Sequence, residues 1–376
     1  MNLGLTCYIN STVQCLAHTY PLTKHFISHH ERQSNAGEMT AAFSSLLVEM
    51  WNNKNCSVKP DTFKSVLERC SRRFQGCNQE DSEEMKTVLL DILHEETNKV
   101  VSKDEDAPTI DENEDAPKDG DENEKRVNDS NKEASRRALE EFRQKNDSPV
   151  YDVFMGQIKS EIRCGECGHT STKFDASNTL SVPIRWDGED RTNKPLIDCV
   201  KEYSKAEQLS GENAWKCPQC KRDVSSSKQL QLTHPPPVLL VHLKRFRSED
   251  DYGRREKITD LVDFPLEGLD LSEVMMSDGE QYWKNGEEPI YDCYAVSNHM
   301  GQLNAGHYTA FVKDFENGVW NRFDDEFVKQ NIPESNVVSD SAYHIFYKRR
   351  DAVWSPPIPV GTLDQNEVSD INNHAV

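Results

Sequence analysis

No stretch of this 376-residue sequence is apolar for long enough to span a bilayer, so a helical integral membrane protein is not expected. Basic charge is also short, with 44 Lys and Arg against 65 Asp and Glu and a formal net charge of −21. So acidic a chain lacks the electrostatic footprint for nucleic acid or an anionic membrane surface, and suits a basic partner. A signal-peptide pattern is missing at the N-terminus. With eleven cysteines and two Cys-x-x-Cys pairs, the chain fits a reducing compartment with bound metal better than a secreted disulfide framework. The expected location is cytoplasmic, nuclear or both.

What is present is organised around the first stretch, Asn2 to Leu16. Thr6 is placed to cap a helix in which Ile9, Val13 and Leu16 share one face, until Pro21 ends the run. Cys7 then falls in the first turn, where unpaired N–H groups and the positive end of the helix dipole favour a thiolate. Cys15, two turns further in, gains no such help. A lone cysteine is usually a small buried hydrophobe, so a nucleophilic Cys7 requires a base elsewhere.

A candidate base lies near the other end, in Gly306-His307-Tyr308. Tyr308 to Val312 reads as a strand, and a second strand from Trp320 to Phe323 pairs with it as a hairpin through Asn317-Gly318. That pairing brings Asp324 back beside His307. Thiol, imidazole and carboxylate in that order are the parts of a cysteine-based acyl-transfer site. His242, in the doubly apolar run Val238 to Leu243 of a central strand, reads instead as a core histidine.

Cys164-Gly-Glu-Cys167 and Cys217-Pro-Gln-Cys220 supply four thiolates, each pair fitting a tight knuckle turn, for a closed tetrahedral Zn2+ site. Neither pair opens a helix as a redox Cys-x-x-Cys would. Between residues 40 and 98 three amphipathic helices are expected, the third entered through Gln79 to Glu84, with Asp81 and Glu84 spaced as a capping box. From Ser102 to Lys125 three Lys stand against eleven Asp and Glu with almost no large apolar side chain, so disorder is expected. Residues 132 to 145 are helix-prone, and Met300 to Ala305 reads as a glycine-bearing loop able to gate the cleft.

Asn2 to Leu16, Gln79 to Glu84, Leu239 to Phe246 and Gly306 to Asp325 resemble, in order, the boxes of the ubiquitin-specific protease family of deubiquitinases. The similarity runs from Asn2 to about Arg350. Leu5 stands where the family usually has Asn, and Met85 where it usually has Phe. The resemblance implies an α+β, papain-like cysteine protease with a helical thumb, a mixed-sheet palm and zinc-ribbon fingers. The thumb would span about 1–99, a disordered acidic insertion 102–147, the fingers 158–230, the palm 149–157 and 231–350, and a disordered tail 351–376.

The implied reaction is hydrolysis of the isopeptide or peptide bond after ubiquitin's terminal glycine. Cys7 attacks, His307 moves the proton, Asp324 orients the imidazole, and Asn2 with nearby backbone N–H groups holds the oxyanion. Asp325 is a second candidate for the carboxylate or for an oxyanion contact. Gln79, Asp81, Glu84 and Tyr308 are the implied ubiquitin contacts, ubiquitin and ubiquitinated proteins the partners, and structural zinc the only cofactor. A catalytically silent ubiquitin-binding module and a zinc-stabilised scaffold are the alternatives. Because the chain begins almost on the catalytic box, further upstream sequence or packing of Met1 is expected to hold Asn2.

Overall fold

The computed structural model describes residues 4–28, 37–53, 57–76, 78–100, 120–185, 193–248, 255–276, 288–302 and 305–355. Five helices open the chain: α1 (Cys7–Ala17), α2 (Tyr20–Ser28), α3 (Glu38–Asn52), α4 (Asp61–Cys70) and α5 (Ser82–Thr97). Helix α1 is buried on all sides, Cys7, Tyr8 and Cys15 as much as Ile9, Val13 and Leu16. It is therefore the central helix of the layer and not an amphipathic cover. Pro21 falls in the first turn of α2, where its missing N–H costs nothing.

Helix α6 (Gly120–Lys145), 26 residues long, matches the helix expected at 132–145 and corrects the expectation of disorder within the 102–147 insertion where it runs back through 120–131. Tertiary contacts outweigh its polar composition. The Ser135 hydroxyl donates to Gln157 Oε1 at 2.5 Å, Gln157 Nε2–H donates back to the Ser135 carbonyl at 3.0 Å, and Phe142 packs on Tyr151. Residues 101–119, most of the acidic run, lie outside the described residues. The short helix α7 (Pro149–Phe154), capped by Ser148, then leads into the strands.

Two sheets follow. The smaller is antiparallel, with Gly156–Cys164 at its centre between Thr170–Ser177 and Ser226–His234, and Glu207–Leu209 beyond. The larger has eight strands. From one edge its order is Phe327–Ile332, Trp320–Asp324, Ala305–Lys313, Ile290–Gln302, Ala342–Arg349, Val238–Lys244 and Leu180–Pro183, with Leu269–Asp270 also paired to Ile290–Gln302. Leu180–Pro183 runs parallel to its neighbour and the other pairs are antiparallel, so the sheet is mixed.

Alternation along these strands divides the core in two. Leu240, Tyr308, Ala310 and Phe346 face the helices α1–α5 and α7. Leu239, Val241, Phe311 and Tyr347 face a second layer that includes helix α8 (Leu196–Tyr203). The residues expected as a gating loop are mostly paired: the ladder runs through Met300↔His307, Gly301↔Gly306 and Gln302↔Ala305, and 303–304 lie outside the described residues. The packed chain also passes the expected boundary at 351, because Trp354 is buried against Tyr294 and Tyr20. Residues 356–376 lie outside the described residues.

Candidate active site and thiolate cluster

Helix α1 lies across the sheet face that carries Ala305–Lys313, which brings the first turn of α1 to the start of that strand. Cys7 is the first helical residue, and Thr6, at the N-cap position, accepts from the Ile9 and Asn10 N–H groups through its carbonyl. The backbone N–H of Tyr308, the residue after His307, reaches the Cys7 sulfur. The net effect on the thiol differs from the expected one. Burial pushes it up, the Tyr308, Tyr8 and Cys7 backbone N–H groups oppose this, and the Asp325 carboxylate adds to the rise. Desolvation of a charge outweighs the helix start, so Cys7 rests as a neutral thiol and needs a base to become a nucleophile.

His307 supplies one. Its Nε2–H donates to Asp324 Oδ1 at 2.7 Å, which fixes the tautomer and leaves Nδ1 to exchange a proton. The second Asp324 oxygen accepts from Arg322 Nη2 at 2.8 Å. Asp324 reaches His307 because Trp320–Asp324 pairs with Ala305–Lys313 through the turn at Gly318, in the register Ala310↔Phe323 to Lys313↔Trp320. The neighbouring Asp325, with a left-handed φ of 53°, accepts from Asn10 Nδ2 at 2.7 Å and stays at the site, a carboxylate oxygen of each of Asp324 and Asp325 and a His307 ring nitrogen lying within 4.8 Å of one another.

Gly306 is needed at its position, since a Cβ there would meet His299 Nε2 at 2.0 Å and the Met300 carbonyl at 2.7 Å. Its backbone is gripped by Gln79. The Gly306 N–H donates to Gln79 Oε1 at 2.7 Å, and Gln79 Nε2–H donates to the Gly306 carbonyl. A residue expected to touch a ligand thus bonds the backbone immediately before the histidine.

The other expected contacts are also drawn inward. Asp81 caps α5 by accepting from the Glu83 N–H at 2.8 Å, and both its oxygens accept from the Tyr343 hydroxyl at 2.9 and 3.0 Å. The reciprocal half of a capping box is absent, because Glu84 pairs with Arg73 at 2.5 Å. The Tyr308 ring is buried between His299 and Tyr343, with its hydroxyl accepting from the Ser82 N–H at 3.4 Å. Asn2 lies outside the described residues.

Behind Asp81 runs a polar seam that sequence reading missed. Lys86 Nζ donates to Glu83 Oε2 at 2.7 Å and to Thr179 Oγ1 at 2.8 Å, and His344 Nε2–H donates to the same Glu83 oxygen at 2.7 Å. Burial alone would raise the Glu83 carboxyl, yet Lys86 and His344 together hold it below the ordinary range. Burial depresses His344 and brings His242, which sits against Ser181, down to about 3. Glu83, His242 and His344 are near enough to hold a metal ion, but the Lys86 ammonium already neutralises that carboxylate. Asn10 was also missed, although its position three residues after Cys7 puts both on one helix face, a usable signal.

The four predicted cysteines converge at the end of the smaller sheet, Cys164 closing Gly156–Cys164 and Cys217 closing Trp215–Cys217. Cys164 and Cys220 sulfurs are 3.9 Å apart, Cys167 and Cys217 sulfurs 3.7 Å, and all four lie within 4.8 Å of one another. A tetrahedron with metal–sulfur bonds of about 2.3 Å has edges of about 3.8 Å, so the cluster has the dimensions to hold a metal ion. In each knuckle an N–H points at the first sulfur, from Cys167 at 3.4 Å and from Cys220 at 3.5 Å.

With this geometry in place, the chain can be set beside known proteins. The family description "Ubiquitin carboxyl-terminal hydrolase" matches residues 1–347. The chain is 33% identical over 365 residues to ubiquitin carboxyl-terminal hydrolase 2 of Bos taurus, covering 95% of this chain and 55% of that protein. It is 33% identical over 356 residues to ubiquitin carboxyl-terminal hydrolase 21 of Homo sapiens, covering 92% of this chain and 60% of that protein. It thus spans little more than half the length of these relatives. The Ubp8/Sgf11/Sus1/Sgf73 DUB module of SAGA bound to ubiquitin aldehyde has the same fold, with a TM-score of 0.69 at 24% identity over 94% of this chain and 69% of that one. Among the described residues no helix is long and apolar enough to cross a membrane.

Proposed function

The chain belongs to the ubiquitin carboxyl-terminal hydrolase family, and from that premise we propose that it is a deubiquitinase, cleaving the isopeptide or peptide bond after ubiquitin's terminal glycine. One observation carries the reading: a buried cysteine under the Tyr308 N–H, with the adjacent His307 held by Asp324 at 2.7 Å. His307 Nδ1 takes the Cys7 proton as sulfur attacks the carbonyl carbon. Asp324 steadies the resulting imidazolium. The proton then passes to the departing amine, leaving a thioester, and a water deprotonated by His307 attacks it to release the carboxylate and regenerate the thiol. Asn2, by resemblance, and the N–H groups at the start of α1 are the donors for the oxyanion of both steps.

In this reading α1–α5 form the thumb, the eight-stranded sheet the palm and the smaller sheet the fingers, which hold the globular body of ubiquitin. The four cysteines bind zinc, which ties the fingertip turns together and takes no part in the chemistry; the triad lies elsewhere in the fold. None of the nine described cysteines is joined in a disulfide, which supports a reducing cytoplasmic or nuclear location. Ubiquitin carrying a vinyl electrophile in place of its last carboxylate tests the reading. A covalent adduct should form and map to Cys7. No adduct on the folded, zinc-loaded protein, or one mapping to another cysteine, would overturn it.

A further inference from the structure

Among the described residues six large apolar side chains stand exposed; two of them lie across a ladder from members of the triad and a third stands two residues before Cys7 in the chain. Leu5 is two residues before Cys7. Met300 lies directly across the ladder from His307, and Phe327 directly across from Asp324. Directly opposed side chains share a sheet face at van der Waals reach, so both flank the reacting groups. Phe327 is 71% exposed, a large ring left in water beside the catalytic carboxylate. The apolar character is local, since Val328 is followed by the exposed polar residues Lys329, Gln330 and Asn331 along the same edge strand.

Leu5 is exposed and also strained. Its φ is +52°, in the left-handed region where a leucine Cβ crowds its own carbonyl, and at 45% exposure its side chain recovers little by burial. Asn, the usual residue of the family at this place, tolerates that conformation. An apolar residue kept in an unfavourable conformation beside a nucleophile points to a contact made with substrate.

We propose that Leu5, Met300 and Phe327 form an apolar collar for the leaving-group side of the substrate: the aliphatic stem of the acceptor lysine and the apolar residues flanking it. This rests on the deubiquitinase reading. The acyl side ends in glycine, which brings no side chain to such a collar. The lysine on the other side of the bond carries a run of methylenes and must pass between these residues to place its amide on Cys7. The enzyme therefore prefers lysines with apolar neighbours in the target.

The test uses three substrates: ubiquitin ethyl ester, and ubiquitin isopeptide-linked to peptides whose lysine is flanked either by Leu and Phe or by Ser. The expected ratio of kcat/KM between the two peptides is roughly tenfold in favour of the apolar one, the lower range for small apolar contacts in an open site. Leu5→Asn and Phe327→Ser, each normalised to its own ester rate, should bring that ratio toward one. Leu5→Asn should also raise Tm by about 1–3 °C, as strain is relieved. Equal rates on the two peptides in the wild type, or an undiminished ratio in both variants, would overturn the collar. Failure to hydrolyse even the ester would overturn the deubiquitinase reading instead.

Discussion

Two cysteine sites in one chain make opposite use of the same side chain. Around Cys7 a single thiol is desolvated, and its partners come from α1, from Ala305–Lys313 and from the turn after Trp320–Asp324, far apart in sequence. Around Cys164 and Cys217 the thiols come in pairs, each on its own turn with an N–H aimed at sulfur. The first site is made by tertiary packing and fails if two layers shift. The second is nearly complete in two short turns, and needs only that the turns meet.

Removing one sulfur from each site should separate chemistry from stability. Cys7→Ala should lower turnover by on the order of 10⁴-fold or more, because no other group can form the thioester, while Tm and ubiquitin affinity hold. Cys217→Ser should lose the metal, read by elemental analysis, and with it on the order of 10 kcal/mol of binding energy that supports the smaller sheet. Its Tm should drop steeply while the remaining folded fraction still forms the Cys7 adduct. A metal-free Cys217→Ser protein with unchanged Tm would show that the knuckles need no ion.

Gln79 offers a smaller and sharper test of the long-range site. As a grip on Gly306 it sets where His307 stands, so Gln79→Ala should lower kcat by about 10–100-fold with little change in KM. Gln79→Glu, which keeps an acceptor for the Gly306 N–H and loses the donor, should fall between. If Gln79 instead touches ubiquitin, KM rises and kcat holds. That split in kinetics distinguishes positioning from binding.

The contrast also explains what could be read from the sequence. The four thiolates were legible because Cys-x-x-Cys states its geometry within four residues, and the hairpin that returns Asp324 to His307 was legible from strand patterning and Gly318. The state of Cys7 was not. Helix position argues for a thiolate, but burial decides the sign, and burial depends on how α1 sits in the core. Asp81 and Tyr308, implied as ubiquitin contacts by resemblance, also have partners inside the fold that the sequence does not show, because Tyr343 and Ser82 become their neighbours only when α5 meets the sheet. Helix α6 extends the helix-prone stretch 132–145 back to Gly120, across residues whose polar composition reads as disorder.

The seam joining α5 to the sheet should also respond to mild acid in a way the knuckles cannot imitate. His344 is depressed by burial, and burial brings His242 and His299 down to about 3. Such groups stay neutral in the folded protein and take up protons on unfolding once the pH falls below the ordinary value of 6.5. The unfolded state then binds more protons, so stability should fall as pH drops from 7 toward 5. His242 and His299 each contribute about 1.4 kcal/mol per pH unit below 6.5, or roughly 2 kcal/mol by pH 5, and His344 adds to the fall in the same direction. Thiolates released from a metal would add a slope of the same sign, so the whole-protein trend alone cannot assign the cause. His344→Gln resolves it. An amide can still donate to Glu83 but does not titrate, so the fall of Tm with pH should be shallower than in the wild type while the metal content at each pH is unchanged. If the slope is the same in His344→Gln, His344 takes up its proton within the fold and the seam is not the acid-sensitive part of the molecule.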